Sequence, residues 1–453
     1  MGEELVDVVV IGMGPGGEEV AGKLAEAGLT VVGIDSGLVG GECPYWGCVP
    51  SKMMIRAAHL LAEARRIPGM AGNAVVRADW APVAARIRAE ATDDWDDTVA
   101  VERFEGKGGR FVRGHGRLVS ADVVAVGDHR FRAGRAVVLA TGTTPAVPPI
   151  PGLAGTPYWT NHDAVEAKDL PGSITVLGAG AIGSELTQVY ARFGVDVTIV
   201  EAEPRLLPLE EPEAGRVLAE VFQREGVNVI TGTAAARVEH DGEQFSVHLT
   251  DERVVRAERL LVATGRRVDL AAIGVDVLGV DSAARALPVD DRMRVSERVW
   301  AVGDITGKGA FTHVAMYQAG IVVDDILGEP HAAADYHALP RVTFTDPEVG
   351  SVGLSTQAAI DAGLDVMVGR ANVPSTARGW IHKTGNEGFI TLVADRARGV
   401  LVGATAMGPN GGEVLGLLVL AVHASIPIEQ LRTMIYAYPT FHRGIEDALK
   451  NLA

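Results

Sequence analysis

Cysteine is almost missing from this chain: its 453 residues include only two, Cys43 and Cys48. So few cannot staple a secreted disulfide scaffold. Long apolar runs are missing too. The longest, Val414 to Val422, is too short to span a bilayer, so no membrane partner is expected. The opening Met1-Gly2-Glu3-Glu4 lacks the basic region of a signal peptide, and a cytoplasmic protein is expected. Positive charge is in deficit, with 41 Lys and Arg against 58 Asp and Glu, a formal net charge of −17. That balance argues against nucleic acid as a partner. No low-complexity tail is visible. What the chain does have is core material, 47% hydrophobic residues over a length that suits two or three domains. It also has 55 glycines, which suit tight turns and loops that approach phosphates.

Both cysteines lie in one stretch, Gly40-Gly41-Glu42-Cys43-Pro44-Tyr45-Trp46-Gly47-Cys48-Val49-Pro50-Ser51-Lys52. It admits three readings: a redox disulfide, half of a metal site, or two inert buried thiols. A regular helix would hold Cα atoms five residues apart at roughly 8 Å or more, whereas a disulfide needs about 4.4–6.8 Å. Pro44 and Gly47 suit an irregular turn that closes that gap. Zinc would need two further ligands, and no local His or Cys cluster offers them. The redox pair is carried forward, with inert thiols behind it and zinc last. Tyr45 and Trp46 read first as core aromatics and second as a substrate-facing surface.

Leu5 to Ile11 is apolar apart from Asp7, as expected of a buried parallel strand. Gly12-Met13-Gly14-Pro15-Gly16-Gly17 follows, then a helical pattern from Glu18 to Ala27 and a strand from Thr30 to Ile34 that ends at Asp35. Strand, Gly-rich turn, helix, strand and acid together make a dinucleotide fingerprint. The glycines let backbone approach a pyrophosphate at a helix N-terminus, and Asp35 is placed to accept from a ribose hydroxyl. A second fingerprint opens at Ile174 to Leu177, with Gly178-Ala179-Gly180-Ala181-Ile182-Gly183, a helix through Phe193, and a strand Val195 to Val200 ending at Glu201. Two fingerprints imply two dinucleotides, against a duplicated module with one vacant site. Glu201 favours the free ribose diol of NAD over a 2′-phosphate, a preference that Arg205 would soften. Met53 to Arg66 and Ala81 to Glu105 read as helices, and Phe111 to Val126 as short strands with Gly114-His115-Gly116 in a loop. Val137 to Gly142 is an apolar strand ending in Ala140-Thr141-Gly142, mirrored at Leu260 to Arg267 by Ala263-Thr264-Gly265. Four prolines between Pro145 and Gly152 mark a domain crossing.

Gly40 to Lys52 resembles the active-site segment of the pyridine nucleotide-disulfide oxidoreductases, the flavoprotein group of lipoamide dehydrogenase, glutathione reductase and mercuric reductase. Their pattern is Gly-Gly-x-Cys, four residues, Cys-x-Pro, then commonly Ser-Lys. Every fixed position is matched, while Pro44-Tyr45-Trp46 is unusual. Val299 to Asp304 resembles the family's later FAD segment, and Pro340 to Leu354 resembles the start of its dimerisation domain. Strands at Phe389 to Ala394 and Val400 to Ala406 and a helix from Gly412 to His423 fit that domain. The resemblance implies an α/β protein with two Rossmann-like dinucleotide-binding domains, for FAD and NAD(P), plus a C-terminal α+β dimerisation domain. Residues 1–150 and 271–337 would bind FAD, 151–270 would bind NAD(P), and 338–453 would form the interface. NAD(H) is favoured over NADP(H), and the expected homodimer has its small-molecule site completed by the partner chain.

The resemblance also assigns residues. Cys48 would be the thiol next to the flavin and Cys43 the interchange thiol, with Lys52 and Glu185 paired beside the ring, where a cation stabilises reduced flavin. A surface ion pair is the plainer reading of Lys52 and Glu185. Gly12, Gly14, Pro15, Gly16, Gly17, Asp35, Gly41, Gly116, Thr141, Gly142, Gly303 and Asp304 would hold FAD, as Lys52 would. His313 and Ala315 open a long helix near the isoalloxazine. Gly178, Gly180, Gly183, Glu201, Gly265 and Arg266 would serve the second nucleotide. Asp304 could equally be a helix cap.

One motif departs. The family supplies a base through His-x-His-Pro-Thr-x-x-Glu, and this chain reads Tyr436-Ala437-Tyr438-Pro439-Thr440-Phe441-His442-Arg443. Tyr438 stands at the base and Arg443 at the glutamate, so the acid–base dyad is missing. A tyrosine titrates near 10, a poor base but a competent donor, and Arg443 nearby would favour phenolate. His442 is the other candidate base, although one position off it projects elsewhere, as an ordinary structural histidine does. Mercuric reductase also carries a tyrosine at the base position, but its frequent metal-binding domain and C-terminal cysteine pair are not seen. The expected function is an FAD-dependent oxidoreductase passing electrons from NAD(P)H to a Cys43–Cys48 disulfide and on to a disulfide or other sulfur substrate. A quinone, dye or metal-ion reductase working directly from the flavin is the first alternative, and a redox-sensing flavoprotein without efficient turnover is the second.

Overall fold

The computed structural model describes residues 3–453. They gather into two compact units. One comprises the chain up to Ser51 with Ala85–Ala146 and Arg266–Asp335, and the other Lys52–Ala84, Val147–Gly265 and Tyr336–Ala453.

In the first unit five parallel strands run in the order Val299–Ala301, His129–Leu139, Glu4–Ile11, Val31–Asp35 and Arg110–Arg113. Alternate residues of Glu4–Ile11 enter different cores. Val8 and Val10 pack with Val20 and Leu24 of the helix Pro15–Glu26, whereas Val9 and Ile11 pack with Ile34 and Leu139. Burial on both faces is why this strand is apolar at nearly every position. An antiparallel hairpin, Gly116–Ser120 with Val123–Val126, joins His129–Leu139.

The helix expected over Ala81 to Glu105 is broken instead. Ala81–Arg86 passes into a π-turn, Ile87–Ala91, then a 3₁₀ turn, Asp93–Trp95, before helix resumes at Thr98–Glu105. Asp93, Asp94 and Trp95 all adopt left-handed backbone, with φ of 48, 57 and 59°. The cause is local competition for hydrogen bonds. The Thr92 hydroxyl donates to the Ile87 carbonyl at 3.1 Å, and Asp96 accepts the Thr98 N–H at 2.9 Å. Helical periodicity alone could not show this.

The second unit holds a parallel sheet ordered Asn228–Thr231, Asp196–Glu201, Ser173–Leu177 and Arg259–Val262, and a three-stranded antiparallel sheet, Ala235–His240, Phe245–Leu249 and Val254–Ala257. It also holds a five-stranded antiparallel sheet, Pro340–Thr343, Glu348–Gly353, Val400–Gly408, Phe389–Asp395 and Val366–Asn372. The helix Gly411–His423 covers that sheet through Leu415, Leu418 and Val422. No helix among the described residues is long and apolar enough to cross a membrane.

Candidate active site

At the end of Glu4–Ile11 the chain turns through Gly12 at φ 96°, where a Cβ would collide with the Ala140 carbonyl. A Cβ on Gly17 would collide with the Gly12 carbonyl, and one on Gly16 would lie 3.2 Å from Ala315. Gly14 is different. A Cβ there would meet nothing within 4 Å, and Gly14 is the N-cap of Pro15–Glu26, an end that no side chain caps. Open space at an uncapped helix N-terminus, with Pro15 at its first position, suits a phosphate. Asp35 accepts the Met13 N–H at 2.6 Å on one oxygen and the Gly37 N–H at 2.7 Å on the other, and each oxygen keeps a second lone pair.

The second fingerprint repeats these parts. Gly178 turns at φ 97° against Ala263, a Cβ on Gly183 would collide with the Gly178 carbonyl, and Gly180 is the uncapped, open N-cap of Ala181–Arg192. Glu201 accepts the Ala179 N–H at 2.6 Å and the Glu203 N–H at 2.9 Å. Both turns thus have the room and the donors that a pyrophosphate and a ribose diol require. Arg205 donates to the Pro208 carbonyl at 2.7 Å, within its own loop. Gly116 sits where a Cβ would lie 2.9 Å from Ile11, and Gly142 and Gly265 turn at φ 64° and 120° after the exposed Thr141 and Thr264.

The cysteine segment runs against the first turn. Gly40 donates to the Met13 carbonyl at 2.7 Å, and a Cβ on Gly41 would lie 2.8 Å from the Gly14 Cα. Buried Asp97 steadies the approach by accepting the Val39 N–H at 2.7 Å. Glu42–Tyr45 makes one helical turn, the chain breaks at Trp46-Gly47, and a long helix starts at Cys48, running to Arg65. That is the irregular turn Pro44 and Gly47 foreshadow, and the helix begins earlier than the expected Met53. Both cysteines are free thiols. They are hydrogen-bonded to each other, with Cys43 half-buried and Cys48 exposed. The bond to Cys48 and burial push the Cys43 thiol well up, opposed by Thr312. The Thr312 hydroxyl lies 3.5 Å from Cys48 Sγ. Tyr45 is buried while Trp46 is half-buried, their rings 5.9 Å apart. No cluster among the described residues could hold a metal ion.

Sequence reasoning missed Thr312, which opens the helix Thr312–Leu327, and Thr143. Thr143 donates to Asp304 at 2.7 Å and accepts from Arg266 Nε at 2.7 Å, while Arg266 also lies 3.3 Å from Glu42. Burial pushes the Asp304 carboxyl up, and Thr143 and Arg266 only partly offset it. Gly303, at φ 83°, donates to buried Gln318 at 2.7 Å. His313 is exposed and stacks on Phe311, whereas Ala315 is buried. Thr143 follows the Ala-Thr-Gly turn directly, the one signal that could have pointed to it.

In the second unit Lys52 Nζ lies 2.9 Å from Glu185 and 4.7 Å from the Phe344 ring centre. The Glu185 side chain is only 5% exposed and also accepts the Phe344 N–H at 2.8 Å, so this is no surface ion pair. Tyr438, 67% exposed, faces the Arg443 guanidinium 5.2 Å from its ring centre, and Arg443 pairs with Glu446 at 3.0 Å. His442 turns toward Tyr436 and Thr440 instead. A buried network absent from the expected set joins Arg192 to Glu225 at 2.6 Å and to Asp346 at 2.8 Å, with Arg66 on Asp346 at 2.6 Å. Beside it burial drives His59 down to about 4, aided by Arg192 and Arg66 and resisted by Asp346.

These features have counterparts in known proteins. Residues 6–319 match the family model for pyridine nucleotide-disulphide oxidoreductases, and residues 339–449 match the dimerisation domain of the same enzymes. The chain belongs to the pyridine nucleotide-disulphide oxidoreductase family. Mercuric reductase of Staphylococcus aureus is 31% identical over 97% of this chain and 81% of its own length. Dihydrolipoyl dehydrogenase of Mycobacterium leprae (strain TN) is 32% identical over 98% of this chain and 98% of its own length. Among solved structures, a Cu(II) complex of a mutant of the HOCl-induced flavoprotein disulfide reductase RclA from Escherichia coli superposes with a TM-score of 0.87, 25% identity and 99% coverage of both chains. LpdA from Mycobacterium tuberculosis gives 0.86 at 26% identity, covering 98% of this chain and 99% of its own. The fold is therefore that of the flavoprotein disulfide reductases, and the protein is an FAD-containing, NAD(P)H-dependent oxidoreductase acting on sulfur, with a C-terminal domain of the kind that forms homodimers.

Proposed function

We propose that this enzyme reduces a disulfide or related sulfur substrate at Cys43, using NADH in preference to NADPH and a proton route that lacks the usual His-Glu pair. The observation that carries this reading is the dithiol itself, Cys43 and Cys48 hydrogen-bonded, with Thr312 at 3.5 Å from Cys48. FAD, when bound, would supply the two-electron chemistry that links the nicotinamide to the cysteine pair. Gly12, Gly14 and Asp35 supply the cradle for it, and Gly178, Gly180 and Glu201 supply one for the nicotinamide nucleotide. Glu201 favours an unmodified ribose, and Arg205, bound within its own loop, leaves that preference standing. Lys52, fixed by Glu185, offers positive charge. The hydrogen bond to Cys48 and burial hold the Cys43 thiol up, so Cys43 gives up its proton only as it attacks the substrate. Tyr438, exposed on a segment with Met434 and Ile435, completes the site of the other protomer as a hydrogen-bond donor, its ring held by Arg443.

The test is an anaerobic titration of the FAD-loaded enzyme with NADH, then NADPH, while the visible spectrum is recorded. A long-wavelength charge-transfer band at two electrons supports the reading, as does faster reduction by NADH. Direct bleaching of the flavin without that band counts against it.

A second reading is reduction of a metal ion, quinone or dye straight from the flavin. It is favoured by Tyr438 at the base position and by the likeness to mercuric reductase and to a Cu(II) complex of RclA. Replacing both Cys43 and Cys48 by Ser separates the two. Disulfide reduction is lost in either case, whereas quinone reduction survives only under the second.

A further inference from the structure

A cavity of about 390 Å³ opens beside Cys43 in the first unit, with Thr312 also in its wall. Its charge is uneven. Glu18, Asp93 and Asp96 line it against a single base, Arg103. Arg103 is already committed, donating to Glu18 from Nε at 2.9 Å and from Nη2 at 2.5 Å. Three carboxylates against one guanidinium leave a surplus of two negative charges, carried by exposed Asp93 and Asp96. Buried Tyr45, also in the wall, senses the same field. Burial, then Asp97 and Glu18, push its hydroxyl up, and Arg103 only partly offsets them. The break in the Ala81 to Glu105 helix is what brings this surplus to the cavity, because the left-handed turn at Asp93–Trp95 places Asp93 and Asp96 on its rim. A concave site lined by one sign of charge concentrates the opposite sign.

We propose that the acceptor reduced at Cys43 is a positively charged disulfide, one carrying amine groups that Asp93 and Asp96 attract into this cavity. The inference rests on the disulfide reductase reading above and names its substrate class. The Cys43 thiolate attacks one substrate sulfur, the substrate S–S bond breaks, and the first half leaves as a thiol after taking a proton. Cys48 then attacks Cys43 Sγ, the mixed disulfide breaks, the second half leaves as a thiol with a second proton, and the Cys43–Cys48 disulfide closes. The dithiol gives up two electrons and two protons, and the enzyme's NAD(P)H-dependent activity restores it. Anionic disulfides meet repulsion at the same wall.

Two measurements test this. The first follows NADH oxidation by the FAD-loaded enzyme with three disulfides of similar size: cystamine (cationic), bis(2-hydroxyethyl) disulfide (neutral) and dithiodiglycolate (anionic). The expected kcat/KM order is cation, neutral, anion, with cation over anion about tenfold or more at about 0.02 M salt and a ratio that shrinks at about 0.5 M. The double variant Asp93→Asn/Asp96→Asn narrows the ratio. Asparagine tolerates the left-handed backbone at 93 and can still accept the Thr98 N–H at 96. The second measurement labels Cys43 in the Cys48→Ser protein with trimethylammonioethyl and sulfonatoethyl methanethiosulfonates, each rate normalised to that of free 2-mercaptoethanol. The cationic reagent is expected to react about tenfold faster or more. Equal rates, an anionic preference, or a ratio unmoved by the double variant overturns the inference while leaving disulfide reduction in place. Turnover of no disulfide of any charge overturns the reductase reading and the substrate class with it, whatever the labelling gives.

Discussion

Lys52 Nζ and Glu185 Oε2 lie 2.9 Å apart, and the remaining Glu185 oxygen accepts the Phe344 N–H at 2.8 Å. The pair therefore ties the helix that begins at Cys48 to two other segments of the second unit. Glu185 is buried, and Lys52 is the cation paired with its carboxylate. Replacing Lys52 by Met leaves a carboxylate without its cation and is expected to cost about 2 kcal/mol, whereas Lys52→Met/Glu185→Gln recovers most of that loss. Urea unfolding of the two proteins checks it. Equal stabilities would mean that the pair contributes nothing beyond packing.

Glycines of the first turn separate folding from cofactor retention. Gly12→Ala collides with the Ala140 carbonyl at a backbone angle alanine disfavours, and is expected to yield little folded protein. Gly14→Ala meets no protein atom, so the chain folds but its methyl occupies space at the uncapped helix N-terminus. Purified Gly14→Ala is expected to keep its secondary structure by circular dichroism and to carry at least about tenfold less FAD affinity. Full FAD content would remove this turn from the cofactor site.

Tyr438 and Arg443 offer a reversal. Tyr438→Phe keeps the ring beside the guanidinium and removes only the hydroxyl, so disulfide turnover at neutral pH is expected to fall about tenfold. Tyr438→His/Arg443→Glu places the family's base and orienting acid at their positions, and turnover is expected to rise with a new dependence on pH near 6.5. A pH–rate profile unchanged by both variants would exclude proton transfer at this position.

His59 gives the second unit a defined acid sensitivity. Burial and the neighbouring arginines bring it from an ordinary 6.5 to about 4, so the folded imidazole stays neutral while the unfolded one takes a proton. Between those values the unfolded chain binds more protons, and stability rises with pH. It is expected to fall progressively as pH drops from 6.5 to about 4. His59→Phe should flatten that slope relative to wild type in melts taken across the window. Parallel slopes would show that carboxylates alone set it.

The sequence was informative where a residue type answers a backbone demand close by. Gly12, Gly17, Gly178 and Gly183 are legible because no side chain fits where a carbonyl passes that closely. Pro44 and Gly47 are legible because an irregular turn needs such residues between the cysteines. Thr312 was not legible, since its place beside Cys48 depends on a helix 264 residues further along the chain. The left-handed turn at Asp93–Trp95 was hidden for another reason. Ala, Arg and Asp around it fit a helix by composition, and the outcome turned on the hydrogen bond the Thr92 hydroxyl donates and the one the Asp96 carboxylate accepts.

Asp35 and Glu201 each hold an amide of their own Gly-rich turn at 2.6 Å. A carboxylate aimed at a ribose is thus also the brace that shapes the phosphate loop, so neither group must be recruited when a nucleotide arrives. Ordering is completed during folding, and little of the binding energy is diverted to immobilising the loop. One substitution at either acid would consequently blunt recognition of the sugar and loosen the grip on the pyrophosphate together, a linkage that makes each module respond to its nucleotide as a whole.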